Sequence, residues 1–314
     1  MLSRRNIRVK VMQMLYSMNR DSELSLKELV TRYHQGVSKS YEMYLYSIQH
    51  FIKVAEVAIL DAGNRKTKLL PTDEDKRFTP KLYENKFVQS LVNHKGLQEQ
   101  FKKFTIEARI DSDNVRMLYA EFSKSPIYKN FISQDNISDE DFIEVLLALY
   151  KFCYHEEVYE DLIESNYHWW IDDESLVIGV MKKTIKGLPY DSSNKFYEEF
   201  IPDDEAVTDF GELILKSVVS KDKELVDLIE EFLVNWDPDR VAILDMISIK
   251  MAVCEMMYCP SIPTKVTINE YVEISKQYST EKSKEFINGI LDHLKNYLSE
   301  QGKIVKEGRG LIEE

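Results

Sequence analysis

A chain of 314 residues that holds only ten glycines has few places to reverse direction tightly, because glycine is the residue that enters left-handed backbone without strain. Turn dipeptides are correspondingly scarce, and the apolar positions mostly recur at three and four residues, the spacing of one helix face. The expected fold class is all-α. With 44% hydrophobic residues the chain can bury one large core or two smaller ones, and its length favours two folded units.

No uninterrupted apolar stretch approaches the roughly 18 residues needed to cross a bilayer. The richest run, Val241 to Tyr258, carries Asp245, Lys250 and Glu255 and reads as a buried helix. The three cysteines, Cys153, Cys254 and Cys259, form no CxxC pair, and the chain opens without an apolar leader, so a cytoplasmic location with no membrane association is expected. Enzyme signatures are absent: there is no HExxH, no GxSxG elbow, no Walker loop and no GxGxxG, and neither catalysis nor a cofactor nor a metal site is expected. Asp172-Asp173 and Asp203-Asp204 are neighbours that do not face one another on a helix, and solvation accounts for them.

A first helix is expected after Ser3 as N-cap, with Ile7, Val11, Met14, Leu15 and Met18 on one stripe and Arg5, Arg8, Met12 and Tyr16 on the flank and back. The pattern stays helical from about Leu24 to Leu60, and Pro71 to Arg77 with Thr79-Pro80 reads as a charged loop. Helices resume near Leu82. The stretch His155 to Glu174 is acidic around Trp169 and Trp170, which reads as a solvated face over two core tryptophans or as a docking surface for a basic partner, before a break near Gly187-Leu188-Pro189.

Beyond Ile201-Pro202 a helix is expected from about Glu205, closed by Trp236, and Asp237-Pro238 should cap the apolar helix that runs to Tyr258. Pro260 and Pro263 stop it, Thr267 and Glu270 have capping-box spacing for the next helix, and Phe286, Ile287, Ile290, Leu291, Leu294 and Leu298 form the stripe of the last. The tail after Gln301 has three glycines and is expected to fray.

A net charge of −13 rules out a protein that coats nucleic acid by bulk attraction, so any such contact must be local. The opening 20 residues nonetheless hold Arg4, Arg5, Arg8, Lys10 and Arg20 and no acid. Arginines in the first turns of a helix oppose its macrodipole, and an anionic partner would explain their placement. Lys282 and Lys284 precede Phe286 at the start of the last helix, a pairing of cation and ring that suits single-stranded RNA, although such a ring taken alone is more often a core residue.

These residues also carry a family resemblance. Arg4-Arg5-x-x-Arg8-x-x-x-x-Gln13-x-Leu15-Tyr16 resembles the arginine-rich opening of NusB-family proteins. Asn235-Trp236 with the Arg240 to Glu255 helix, Ile262-Pro263-x-Lys265-Val266-x-Ile268-Asn269-Glu270, and Lys284-x-Phe286-Ile287-Asn288-Gly289-Ile290-Leu291-Asp292 follow in the family's order and spacing.

The resemblance implies an all-α, NusB-like helical bundle, made by residues 1–20 and 204–300, with a large helical insertion at 21–203 and a flexible tail at 301–314. It implies a non-enzymatic antitermination factor that binds boxA-type single-stranded RNA of the ribosomal leader together with the ribosomal protein NusE, within the RNA polymerase antitermination complex. Arg4, Arg5, Arg8, Gln13 and Tyr16 would touch RNA, joined by Lys282, Lys284, Phe286 and Asn288 and with Lys265 nearby. Asp245 and Lys250 would face the protein partner. Asn269 and Glu270 are read as packing residues, and Gly289 as a point of close helix approach. The insertion is expected to be a folded protein-docking or self-association module. A helical scaffold that binds only proteins is the competing expectation.

Overall fold

The computed structural model describes residues 2–21, 23–233 and 241–311, with the side chain of Arg309 excepted. Among these, the regular structure is helical and no strand occurs. The chain forms two compact units, one of Ser38–Ile201 and the other of Leu2–Val37 with Pro202 onward.

The helices in chain order are α1 (Arg4–Arg20), α2 (Leu26–Lys66), α3 (Asp73–Arg77), α4 (Lys86–Val92), α5 (Lys95–Lys103), α6 (Ser112–Phe122), α7 (Pro126–Ser133), α8 (Asp139–Tyr154), α9 (Glu157–Asn166), α10 (Trp170–Lys186), α11 (Leu213–Ser220), α12 (Asp222–Glu230), α13 (Ile243–Tyr258), α14 (Thr264–Tyr278) and α15 (Ser283–Glu300). The segment expected to be a loop holds a helical turn, α3, because Thr72 and Asp75 cap each other's backbone N–H groups. The boundary between the units falls inside α2, seventeen residues later than the expected start of the insertion.

In the unit Ser38–Ile201, α8 packs against α6, α7, α9 and α10. Its interior is aromatic: Tyr44, Tyr46, Tyr150, Tyr159, Tyr167 and Trp170 are all buried. Several phenols are paired in place, Tyr44 with the Thr184 hydroxyl at 2.8 Å, Tyr159 with Ser47 at 3.0 Å and Tyr119 with Tyr128 at 2.8 Å, whereas the buried Tyr46 hydroxyl has no hydrogen-bond partner among the described residues. Trp170 is buried and Trp169 half-buried in the acidic stretch, and Asp173 is buried as the acceptor of the Ser40 hydroxyl at 2.5 Å.

In the other unit α13 is the central helix, in contact with α1, α11, α12, α14 and α15. From Ile247 to Met256 every residue but Lys250 is buried, as an apolar helix with no polar face requires. The residues before it, Asn235-Trp236, Asp237-Pro238 and Arg240, lie outside the described residues. Glu205–Glu212 is a π-helical segment that runs directly into α11. A Cβ on Gly211 would stand 2.0 Å from the Tyr33 hydroxyl oxygen and 2.5 Å from Ile7 Cγ2, so glycine is what lets this segment lie against α1 and the start of α2. Tyr33 then donates to the Val207 carbonyl at 2.9 Å.

Three local expectations are corrected here. α14 begins at Thr264, so Thr267 and Glu270 lie inside the helix and not at its cap. Gly289 is exposed and a Cβ there would meet nothing within 4 Å, so no close helix approach explains it. The tail does not hang free: the Glu307 N–H donates to the Pro260 carbonyl at 3.0 Å, Lys306 donates to the Cys259 carbonyl at 3.0 Å, and Gly310 sits where a Cβ would be 1.9 Å from the Pro260 oxygen.

Candidate functional site

The candidate site is built from the opening of α1. Ser3 caps it, accepting from the Asn6 N–H at 3.3 Å while Asn6 accepts from the Ser3 N–H at 3.2 Å. This reciprocal cap fixes the direction in which Arg4 and Arg5 leave the first turn. α1 is not the amphipathic surface helix its sequence suggests. Ile7 to Met12 are buried without interruption, including Arg8 and Lys10, so the flank that carries Arg8 and Met12 is interior.

Arg8 accounts for much of this. Its guanidinium is buried, with the whole residue 2% exposed, and donates from Nε and Nη2 to both oxygens of the fully buried Glu255 at 2.7 and 2.6 Å. Glu255 also accepts from the Thr267 hydroxyl at 2.8 Å and the Tyr271 hydroxyl at 3.1 Å, and the Arg8 plane lies 5.0 Å from the Phe210 ring centroid and 5.7 Å from that of Tyr271. Burial disfavours its charge, yet the Glu255 hydrogen bonds and charge win and the Arg8 pKa is raised. Arg8 therefore does not reach a ligand from this position. It ties α1 to α13 and α14.

Arg5 and Arg4 are different. Arg5 donates from Nε and Nη2 to the two oxygens of Glu270 at 2.8 and 2.7 Å and stays half exposed. The hydrogen bond from Arg5 is the main reason that the Glu270 carboxyl titrates lower than usual. Glu270 Oε2 also accepts from Arg8 Nη1 at 3.4 Å, which links the two arginines. Arg4 pairs with Glu205 at 3.0 Å in an exposed contact worth little in water.

Arg4, Arg5 and Lys265 meet at an open cleft of about 740 Å³ between the start of α1 and the Ser261–Pro263 turn into α14, with Ser3, Val266, Asn269 and Glu270 on its walls. Four cations and one carboxylate line it, in a chain whose net charge is −13. Cationic forks on an open concave surface suit the oxygens of a chain of phosphates. Among the described residues no cluster of three or more His, Cys, Asp or Glu is placed to hold a metal ion, and no helix is long and apolar enough to cross a membrane.

The other expected residues lie outside this cleft. Gln13 is half-buried, and Tyr16 accepts from Arg20 Nε at 3.2 Å. Lys282, Lys284 and Asn288 are exposed on the start of α15 and Phe286 is half-buried there. The two residues expected to face a protein partner both have partners within the chain. Asp245 is 5% exposed and accepts from the Ser283 hydroxyl at 2.7 Å, which pins the first turn of α15, where a negative charge suits the helix dipole. Lys250 donates to Asp222 on α12 at 2.6 Å with most of its side chain covered.

Glu255 is the site residue that sequence reasoning passed over, and Glu270 was read as a packing residue only. A carboxylate inside a run as apolar as Met251 to Met257 is itself a signal, since a buried charge must find a partner. Nothing in the order of residues says that the partner lies 247 positions away.

The sequence profile of the NusB family matches residues 174–296. The chain is 41% identical over 105 residues to the transcription antitermination protein NusB of Chloroherpeton thalassium, a match that covers 33% of this chain and 50% of that protein. It is 35% identical over 112 residues to the protein of the same name from Salinibacter ruber, covering 36% of this chain and 70% of that one. The corresponding protein of Bacillus pumilus is 40% identical over 92 residues, or 29% of this chain and 70% of its own length. No solved structure matches the chain. With residues 1–173 outside the matched stretch, the chain belongs to the NusB family as a long form.

Proposed function

We propose that this chain is an RNA-binding transcription antitermination factor, which holds the boxA element of nascent ribosomal RNA jointly with the ribosomal protein NusE and so helps RNA polymerase to continue. The observation that carries the reading is the gathering of Arg4, Arg5 and Lys265 around one cleft in a chain that otherwise repels polyanions. The relatives' name, transcription antitermination protein, supports the same role. In this reading Arg4, Arg5 and Lys265 take phosphates, and Lys282, Lys284, Phe286 and Asn288, with Gln13 and Tyr16, extend the contact. Arg8 acts from inside, by holding α1.

The test is a gel shift of boxA-type single-stranded RNA, with and without purified NusE. Changing Arg5 and Lys265 together to Ala should weaken binding about tenfold or more near physiological salt and flatten its dependence on salt by about two phosphates. Equal affinity of the double variant and the unaltered chain, at an unchanged melting temperature, would refute the assignment of the cleft.

A further inference from the structure

The guanidinium of Arg5 is used on one side only. Glu270 takes the Nε–H and one Nη2–H, and the remaining edge, with Nη1 and the second Nη2–H, has no acceptor among the described residues. An end-on pair of N–H groups is the geometry that grips two oxygens of one phosphate. Glu270 is itself held: its Oε2 accepts from Arg8 Nη1 at 3.4 Å, and Arg8 is locked to Glu255 in the interior.

We infer that Glu270 is a positioning residue, which orders the Arg5 fork toward the cleft so that its open edge is ready for an RNA phosphate. This rests on the proposed RNA binding and adds to it how the contact is set. A carboxylate beside a phosphate site also repels the ligand, so two opposite effects compete. A charge about 7 Å away in water weakens binding by less than about threefold, and physiological salt screens much of that. Ordering a long side chain in advance is worth about two- to tenfold. Ordering therefore dominates at physiological salt, and repulsion gains on it as salt is lowered.

The experiment is a double-variant cycle on the full chain with boxA-type single-stranded RNA at about 0.15 M salt. Glu270→Gln should weaken binding about fivefold, Glu270→Asp should weaken it less, and in an Arg5→Ala background Glu270→Gln should cause no further loss, leaving at most the gain of less than about threefold from the removed repulsion. Tighter binding by Glu270→Gln, or an equal loss with Arg5 already replaced, overturns the positioning role while RNA binding stands. If the unaltered chain does not retain the RNA at all, the functional reading falls and the role of Glu270 falls with it. Melting curves of each variant separate these results from unfolding.

Discussion

The two units bury charge in different ways. In the Ser38–Ile201 unit the buried carboxylates Glu42 and Asp75 pair with partly exposed Arg109 and Lys68, and the aromatic centre uses neutral groups: phenols share hydrogen bonds with hydroxyls, and His50, beside Tyr46 and Tyr159, donates to Asn114 at 3.2 Å with its pKa pushed down to about 4 by burial. The other unit buries a full charge pair, Arg8 with Glu255, and connects it to half-exposed Arg5 through Glu270. A neutral interior needs only local hydrogen bonds to hold a shape. A buried pair gives directional strength in return for desolvating two charges, and that exchange is useful where a surface side chain must be held still.

The largest expected effect separates the two interiors. Arg8→Ala leaves Glu255 buried without its counter-charge and should cost about 3–5 kcal/mol. In urea, followed by fluorescence and by circular dichroism, the transition of the unit that contains α1 should move to lower denaturant while that of the tyrosine-rich unit stays. Movement of both transitions together would show that the units unfold as one.

Acid should reverse the order. An unfolded histidine takes a proton near pH 6.5, so His50, held neutral to about pH 4, contributes stability that is complete above pH 6.5 and is lost as pH falls toward 4. The loss is of order 3 kcal/mol. Glu270 is shifted downward from the carboxylate value by Arg5, so its contribution holds above about pH 4.5 and is lost only below that. Between pH 6.5 and 5 the tyrosine-rich unit should weaken first, and His50→Gln should remove that sensitivity. An acid transition that begins in the α1 unit would break the contrast.

A smaller effect is expected at the notch. Gly211→Ala crowds Tyr33 and Ile7 and should cost about 1–3 kcal/mol by overpacking. Tyr33→Phe removes the crowding oxygen and should recover part of the loss in the double variant, whereas a loss unchanged by Tyr33→Phe would place the strain at Ile7.

How much of this was legible follows from where each signal resides. Helices are local, so the scarcity of glycine, the Ser3 cap and the apolar stripe of α15 were readable, and so was the family, from blocks around Arg4-Arg5, Lys265 and Asn288. Burial is not local. Arg8 read as a residue free to touch RNA because its acceptor, Glu255, comes from a helix more than 200 residues downstream. The junction of the units was hidden because periodicity does not falter at Val37: one helix serves both units, and no proline or glycine pair marks the crossing. Asp245 and Lys250 were expected at a partner surface from the resemblance alone, and the order of residues does not reveal that Ser283 and Asp222 pair with them.

That crossing inside α2 governs how the long form can be trimmed. An excision begun at residue 21, where the arginine-rich helix ends, would carry away Leu29 and Tyr33, leave the Val207 carbonyl without its donor and open a hollow over Gly211. A trimmed protein needs to keep residues through Val37, because the short stretch that looks like the first part of the extra material is also the wall against which the α1 unit is built.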